Sequence, residues 1–330
     1  MSVAAEPATG AREAAPRAGG HADMLIGVGT LALLAVAPLI LDAIGATYLT
    51  ALLVRAMLLA IAAISLDLLI GRGGMVSFGH AAFVAIGAYV TGIGLEEGVA
   101  DGLSLLLLSV LVCALFAAVT GAISLRTRGV AFIMITLAFG QMAFFTFASL
   151  SRYGGDDGLT LWSTAELWGT GWLRNGGGLY FVILAALALT WWLVATISAS
   201  RFGRVLRAAK ENPVRVETMG YSVFRYRLTA YVIAGALAGM AGFLSANHFE
   251  FVSPATGAWQ RSGELIAIVV LGGMGTRNGA LLGALFFVAV EEVLGHLVED
   301  WRLLFGPLLV LLVLFARGGL AGLVPGGASR

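Results

Sequence analysis

Residues 103–125 read LSLLLLSVLVCALFAAVTGAISL, without one charged side chain. A helix of about 20 apolar residues, rising 1.5 Å each, spans the roughly 30 Å hydrocarbon core of a bilayer. Comparable runs recur at 24–41, 48–70, 129–150, 179–197 and 228–246. Backbone N–H and C=O groups cannot stay unpaired in lipid, so such runs form helices. Composition agrees, with 59% of the 330 residues hydrophobic and 12% charged, where a soluble domain carries about a quarter charged. The expectation is an all-α polytopic membrane protein.

Four further apolar segments are shorter or interrupted: 71–94, 262–274, 279–293 and 303–316. Residues 262–274 and 279–293 are short enough for partial crossings, and the total is about ten transmembrane or partly crossing helices. Residues 1–23 are rich in Ala, Gly, Pro and charge and read as a disordered cytoplasmic tail. The apolar, membrane-embedded body runs over 24–322, followed by a short cytoplasmic tail at 323–330. Basic residues are retained on the cytoplasmic side. With the 200–227 loop inside, Arg72, Arg126, Arg128, Arg277 and Arg317 also fall inside, and both termini are cytoplasmic. The acidic loop at 96–101 and the 151–178 loop with Asp156-Asp157 then fall outside.

The 200–227 segment is the densest cluster of charge. Arg201, Arg204, Arg207, Lys210, Arg215, Arg225 and Arg227 outnumber Glu211 and Glu217. Three of the arginines recur every third residue, with Val205, Leu206 and Ala209 between them, as on an amphipathic helix. Asn212-Pro213 breaks that helix and opens a second, with Asn212 as N-cap and Pro213 at its first position. Gly220 is placed to end it. Two short helices meeting at a proline elbow read as a docking surface at the membrane face.

Charges inside the spans need partners. Arg55 and Asp67 are about 18 Å apart along one helix at 1.5 Å per residue and cannot reach each other. Arg55 must therefore pair elsewhere, and Asp67 is within reach of Arg72. Glu264, Glu291 and Glu292 are expected near the outer interface. Cys113 is the sole cysteine, so no intrachain disulfide forms. The one lysine, Lys210, is followed by Glu211, which excludes a phosphate-binding ATPase loop, where lysine precedes Ser or Thr. Asp156-Asp157 lacks a calcium-loop spacing and reads as a turn.

At this point the chain resembles the inner-membrane permease subunits of branched-chain amino acid ABC importers. The resemblance is carried by GRGGMVSFGHAAFVAIGAY (71–89), SLRTRGVAFIMITLAFGQ (124–141), GGDDGLT (154–160) and RFGRVLRAAKENP (201–213) with Glu217 and Gly220. ELIAIVVLGGMGTRNGALLGA (264–284) and WRLLFGPLLVLLVLFARGGLAG (301–322) complete it. It departs at Arg215-Val216, where family members often carry two alanines. The resemblance implies a subunit of the bacterial inner membrane that pairs with a second, similar permease. It implies two cytoplasmic ATPases that hold ATP and magnesium, a periplasmic binding protein, and no cofactor or metal on this chain. The elbow would be the coupling segment. Arg207, Lys210 and Glu211 would be its polar contacts to the ATPase, and Val205, Leu206 and Ala209 its apolar ones, with Arg204 also part of the segment. The urea and short-amide permeases share much of this pattern, so the solute stays open. A free-standing channel or ion-coupled carrier is the rival from another class.

Ser77 and His80 stand in a glycine-rich approach to a membrane segment. They are either the start of a broken helix facing the translocation path or part of tight glycine packing. Thr136 and Gln141 either line a polar route or join helices. The Gly74-x-x-Ser77-x-Gly79 spacing misses the G-x-S-x-G elbow of serine hydrolases.

Overall fold

A computed structural model describes residues 19–166, 176–297, 305–307 and 318–323. Its helices are α1 (Gly19–Ile44), α2 (Thr47–Asp67), α3 (His80–Glu96), α4 (Gly102–Ser124), α5 (Val130–Ala148) and α6 (Gly176–Ala199). They continue as α7 (Arg201–Glu211), α8 (Pro213–Thr218), α9 (Val223–Phe249), α10 (Trp259–Gly272), α11 (Gly279–Leu297) and α12 (Gly319–Leu323). Among the described residues seven helices are long and apolar enough to cross a membrane: α1, α2, α4, α5, α6, α9 and α11. The two shorter segments, α3 and α10, rise about 25 and 21 Å at 1.5 Å per residue, less than the apolar thickness of a bilayer. The expected segment at 303–316 lies almost wholly outside the described residues, as do residues 1–18, 167–175 and 324–330. Helix α1 already begins at Gly19, within the stretch expected to be a tail.

The only β-ladder among the described residues is a two-residue antiparallel pair, β1 (Leu159–Thr160) with β2 (Phe251–Val252), in register Leu159 to Val252. It ties the loop after α5 to the end of α9. The Asp156-Asp157 stretch forms a turn, as expected.

Helix α9 is central, packed on α2, α3 and α4. Its Gly239 and Gly242 lie against Gly87 of α3, where a Cβ on Gly87 would collide with the Gly239 carbonyl. Small residues permit such approach, and without a hydrophobic drive between helices in lipid, close packing supplies the attraction. The buried rings of Phe83, Phe132 and Tyr231 fill the space beside this contact, edge to face with Phe83–Tyr231 centroids at 5.6 Å. Helix α4 turns Leu107, Leu111 and Leu115 outward, each more than 60% exposed, the arrangement of a lipid-facing helix.

Charge separates between the two ends of the bundle. Glu97 binds Arg152 and Tyr153 at one end, where a backbone β-bridge also sets Asp101 beside Glu166. At the other end Lys210 reaches Gly71, and Arg128, Arg227 and Gly74 border one crevice.

Helices α3 and α10 begin at a shared level inside the bundle and run apart. The N–H of Ala81 donates to Ser262 Oγ at 3.0 Å, joining their first turns. Helix α3 then runs to the acidic end. Helix α10 runs to the basic end, where Gly275 meets Asp67. Each is preceded by a break in the α-helix, residues 74–79 and residues 250–258, the latter holding β2 and a 3-10 turn (Pro254–Gly257), tolerated at such depth only when enclosed by protein. Gly74 and Met75 accordingly donate to Ile70 and Leu69, and Phe78 to Thr136 Oγ1.

Candidate functional site: elbow, glycine latch and inner cavity

The elbow forms as its sequence requires. Ser200 caps α7, its Oγ accepting from the Gly203 N–H at 3.4 Å, and Asn212 caps α8, accepting from Arg215 N–H at 3.1 Å. Pro213 occupies the first turn of α8. At the far end Gly220 has φ +85°. Gly220 N–H bonds Glu217 O and Tyr221 N–H bonds Val216 O, the paired closure that favours glycine.

The helical period turns Gly203, Leu206 and Ala209 inward, all buried. Leu206 joins the main core, and Ala209 packs with Val216 and Val223. The expectation that Leu206 and Ala209 meet a partner is therefore corrected: they face the chain's own bundle. Val205 is only partly buried. The outward apolar side chains are Val214 and Met219, each 63% exposed, with Arg204, Arg207, Glu211, Arg215 and Glu217 also exposed. Their outward position was hidden in sequence because the first turn of α8 is set by the proline elbow rather than by a long periodic run.

Arginines clamp the elbow to the membrane helices. Arg204 and Arg207 donate to the carbonyls of Ala199 and Ser198 at the end of α6, and Arg227 of α9 donates to Ala209 O at 3.0 Å. These bonds satisfy carbonyls that a helix end leaves without partners.

Lys210 is exposed as well, and its Nζ donates to Gly71 O at 2.9 Å. Gly71 lies in a π-helical turn (Leu68–Arg72) that closes α2. Beside it Arg72 pairs with Asp67 at 2.8 Å, both buried, as the sequence allowed. The other carboxylate oxygen of Asp67 accepts the Gly275 N–H at 2.7 Å. Asp67 thus ties the loop after α2 to the loop after α10, and a Cβ on Gly71 would strike the Gly275 backbone.

Thr136 packs against the Ser77–His80 stretch through Phe78 and Gly79, and Gln141 lies apart from it. Ser77 is buried beside Tyr231. Thr136 Oγ1 accepts from Phe78 N–H and its carbonyl abuts Gly79. His80 Nε2 lies 2.8 Å from Ser65 Oγ. Since the Ser65 hydroxyl donates to Ala62 O, His80 must donate through Nε2. The His80 ring is thus engaged with Ser65 rather than Ser77. Gln141 lines a shallow outer groove with Met142 and Phe145.

The bundle also holds a cavity of about 330 Å³ between α2, α3, α9 and α10. Arg55, Arg261 and Glu264 border it among apolar residues. Arg55 Nη2 donates to both carboxylate oxygens of Glu291 on α11 at 2.8 Å, the partner on another helix that Arg55 required. Arg261 pairs with Glu264 at 2.7 Å, and Glu292 takes Tyr48 and His296. Charges at 55, 261, 264 and 291 inside apolar segments were the available signal for this cavity. Among the described residues there is no group of three or more His, Cys, Asp or Glu able to hold a metal.

Residues 48–316 match the family model described as branched-chain amino acid transport system, permease component. A LivM permease protein of a high-affinity branched-chain amino acid transport system, from Salmonella typhimurium, is 30% identical over 288 residues, covering 80% of this chain and 68% of that protein. The Escherichia coli LivM is 29% identical over the same shares. An autoinducer 2 import permease, LsrC of Enterobacter, is 30% identical over 72% of this chain and 69% of its own length. No solved structure matches. With seven span-length helices among its described residues and a match across most of its length, this multi-pass membrane protein belongs to the family of permease components of branched-chain amino acid transport systems.

Proposed function

We propose that this chain is the membrane-spanning permease subunit of an ATP-driven importer of branched-chain amino acids, and that the α7–α8 elbow receives the work of separate ATPase subunits. The solute follows from the two LivM relatives, which are named for branched-chain amino acids and cover more of this chain than the LsrC relative named for autoinducer 2. The observation that carries the coupling role is the elbow: a capped, rigid pair of short helices offering Val214 and Met219 among exposed arginines and glutamates. Apolar side chains rimmed by charge suit a groove in a soluble partner.

The positive-inside rule puts this end in the cytoplasm, which gives both termini the same side and ten segments once 303–316 is included. ATP and magnesium then reside on the ATPases, with no cofactor on this chain. A second permease completes the bilayer-spanning unit in the bacterial inner membrane, and a periplasmic binding protein meets the acidic end. Movement of the elbow reaches the bundle through Leu206, which packs in the core, and Lys210, which holds Gly71 O. Asp67 passes it on to the 273–276 loop, so that α2, α3 and α10 tilt together in alternating access.

The test is the double variant Val214→Glu with Met219→Glu, expressed with its partner subunits. Both side chains are exposed, so membrane insertion and thermal unfolding should stay as in the parent. The ATPases should no longer copurify, and ATP-driven leucine uptake should be lost. Undiminished copurification and uptake would overturn the coupling role.

A further inference from the structure

A crevice of about 150 Å³ lies between the turn joining α4 to α5, the loop before α3 and the start of α9. It is smaller than the roughly 300–1,000 Å³ of small-molecule sites, so it admits one ionic group rather than a whole solute. Arg128 and Arg227 line it with Leu125, Gly129, Phe132 and Ile133, and no carboxylate does. Two guanidiniums facing one small space repel each other, and an anion between them relieves the repulsion. Among the described residues Arg128 has no hydrogen bond or ion pair. Arg227 gives Nη2 to Ala209 O, but its Nε is buried and without a partner, which costs the desolvation of that N–H. Glu217 attracts Arg227 from α8, yet it is exposed and stands outside the crevice lining.

The backbone adds a third set of donors. Gly129 precedes α5 with φ +61° and offers no side-chain cap, so the first N–H groups of this 19-residue helix lack intrahelical partners. Gly129 and Phe132 both line the crevice, which puts that first turn at its wall. Helix N-termini favour phosphate, and a guanidinium binds phosphate through paired bonds. A tetrahedral phosphate accepts from several directions at once, whereas a planar carboxylate suits a single guanidinium. Around the crevice the surface is apolar: Ile123 at the end of α4 and Val130 and Met134 at the start of α5 are all exposed. Basic pockets between membrane helices on the cytoplasmic side take anionic lipid head groups.

We propose that this crevice holds one phosphate group, carried by an anionic phospholipid whose chains lie along Val130 and Met134. Arg128 and Arg227 take the phosphate oxygens from two sides, and the first N–H groups of α5 take them from a third. The site is independent of which solute is imported. Because Arg227 also clamps Ala209 of the elbow, the bound phosphate stands one side chain away from α7.

Lipid retention tests this. The chain is expressed with its partner subunits, placed in nanodiscs of phosphatidylcholine with graded phosphatidylglycerol, and read by native mass spectrometry. The parent should retain a phosphatidylglycerol whose apparent dissociation constant rises about tenfold or more in Arg128→Gln, the loss of one charge-assisted bond. Arg128 is exposed, so thermal unfolding without the lipid should stay as in the parent. Arg128→Lys, which keeps the charge, should recover part of the affinity. Arg126→Gln, at an exposed neighbour outside the crevice lining, should retain the lipid as the parent does. A second arm offers sodium phosphate to the same proteins in phosphatidylcholine alone. A rise in unfolding temperature there, absent in Arg128→Gln and without any phosphatidylglycerol adduct, would keep the phosphate site and assign it to the free ion. Equal losses in Arg126→Gln and Arg128→Gln would reduce the effect to diffuse charge and overturn the site. So would no response to either probe, and loss of ATPase copurification in Arg128→Gln would then give the crevice to a partner's carboxylate.

Discussion

The ammonium of Lys210 lies 2.9 Å from the carbonyl oxygen of Gly71, across 139 positions of sequence. One end of this bond belongs to the elbow helix and the other to the turn that closes α2. Gly71 is followed immediately by Arg72, whose pair with Asp67 also engages the loop after α10. A displacement of α7 therefore reaches two membrane segments through one side chain.

Replacing Lys210 by Gln should remove most of this link without removing the elbow. A hydrogen bond to a charged group at a partly wet site contributes about 1 kcal/mol, roughly a fivefold change in an equilibrium. Solute imported per ATP hydrolysed should fall by a comparable factor, while ATP hydrolysis and ATPase copurification are retained. Paired uptake and phosphate-release assays on the same vesicles measure it.

Asp67→Asn leaves Arg72 buried without its counter-charge. Breaking one partner of a buried pair costs about 3–5 kcal/mol. The single variant should unfold at a lower temperature in detergent and accumulate poorly. Asp67→Asn with Arg72→Met, which removes both charges, should recover part of the loss. Thermal scans of the three proteins decide it, and an additive double variant would mean the pair is not coupled.

Gly87→Val should abolish accumulation in the membrane, since its Cβ would run into the Gly239 backbone where α3 crosses α9. Gly29→Val in α1, with nothing near a built Cβ, should accumulate normally. Immunoblots of membrane fractions give the comparison.

Asn212→Ala removes the cap of α8 and should cost about 1 kcal/mol locally. Because α8 has only six residues, hydrogen exchange at Arg215–Thr218 should rise well before global unfolding changes. Asn212→Asp should preserve protection.

What was legible in the sequence was local. Asn212, Pro213 and Gly220 act within a few residues of themselves, so the second half of the elbow could be read to its caps, while the Ser200 cap of α7 emerges only in the structure. The Asp67–Arg72 pair spans five positions and was within reach of the same reasoning. The long spans declare themselves by hydropathy, and the shortness of 262–274 indicated a partial helix, whereas 279–293, which looked equally short, belongs to the span-length α11. The cavity was not legible, because Arg55 and Glu291 meet across 236 positions. Leu206 and Ala209 were assigned to the wrong surface for a related reason. An amphipathic helix shows which residues share a face, not whether that face meets a partner or the chain's own core.

The most direct measurement of the central claim is solute accumulation in vesicles of defined composition. With the partner permease, ATPases, binding protein and internal ATP, vesicles bearing this chain should concentrate leucine. Vesicles holding this chain alone should accumulate none, whatever ion gradient is imposed. Accumulation by the chain alone would contradict the account.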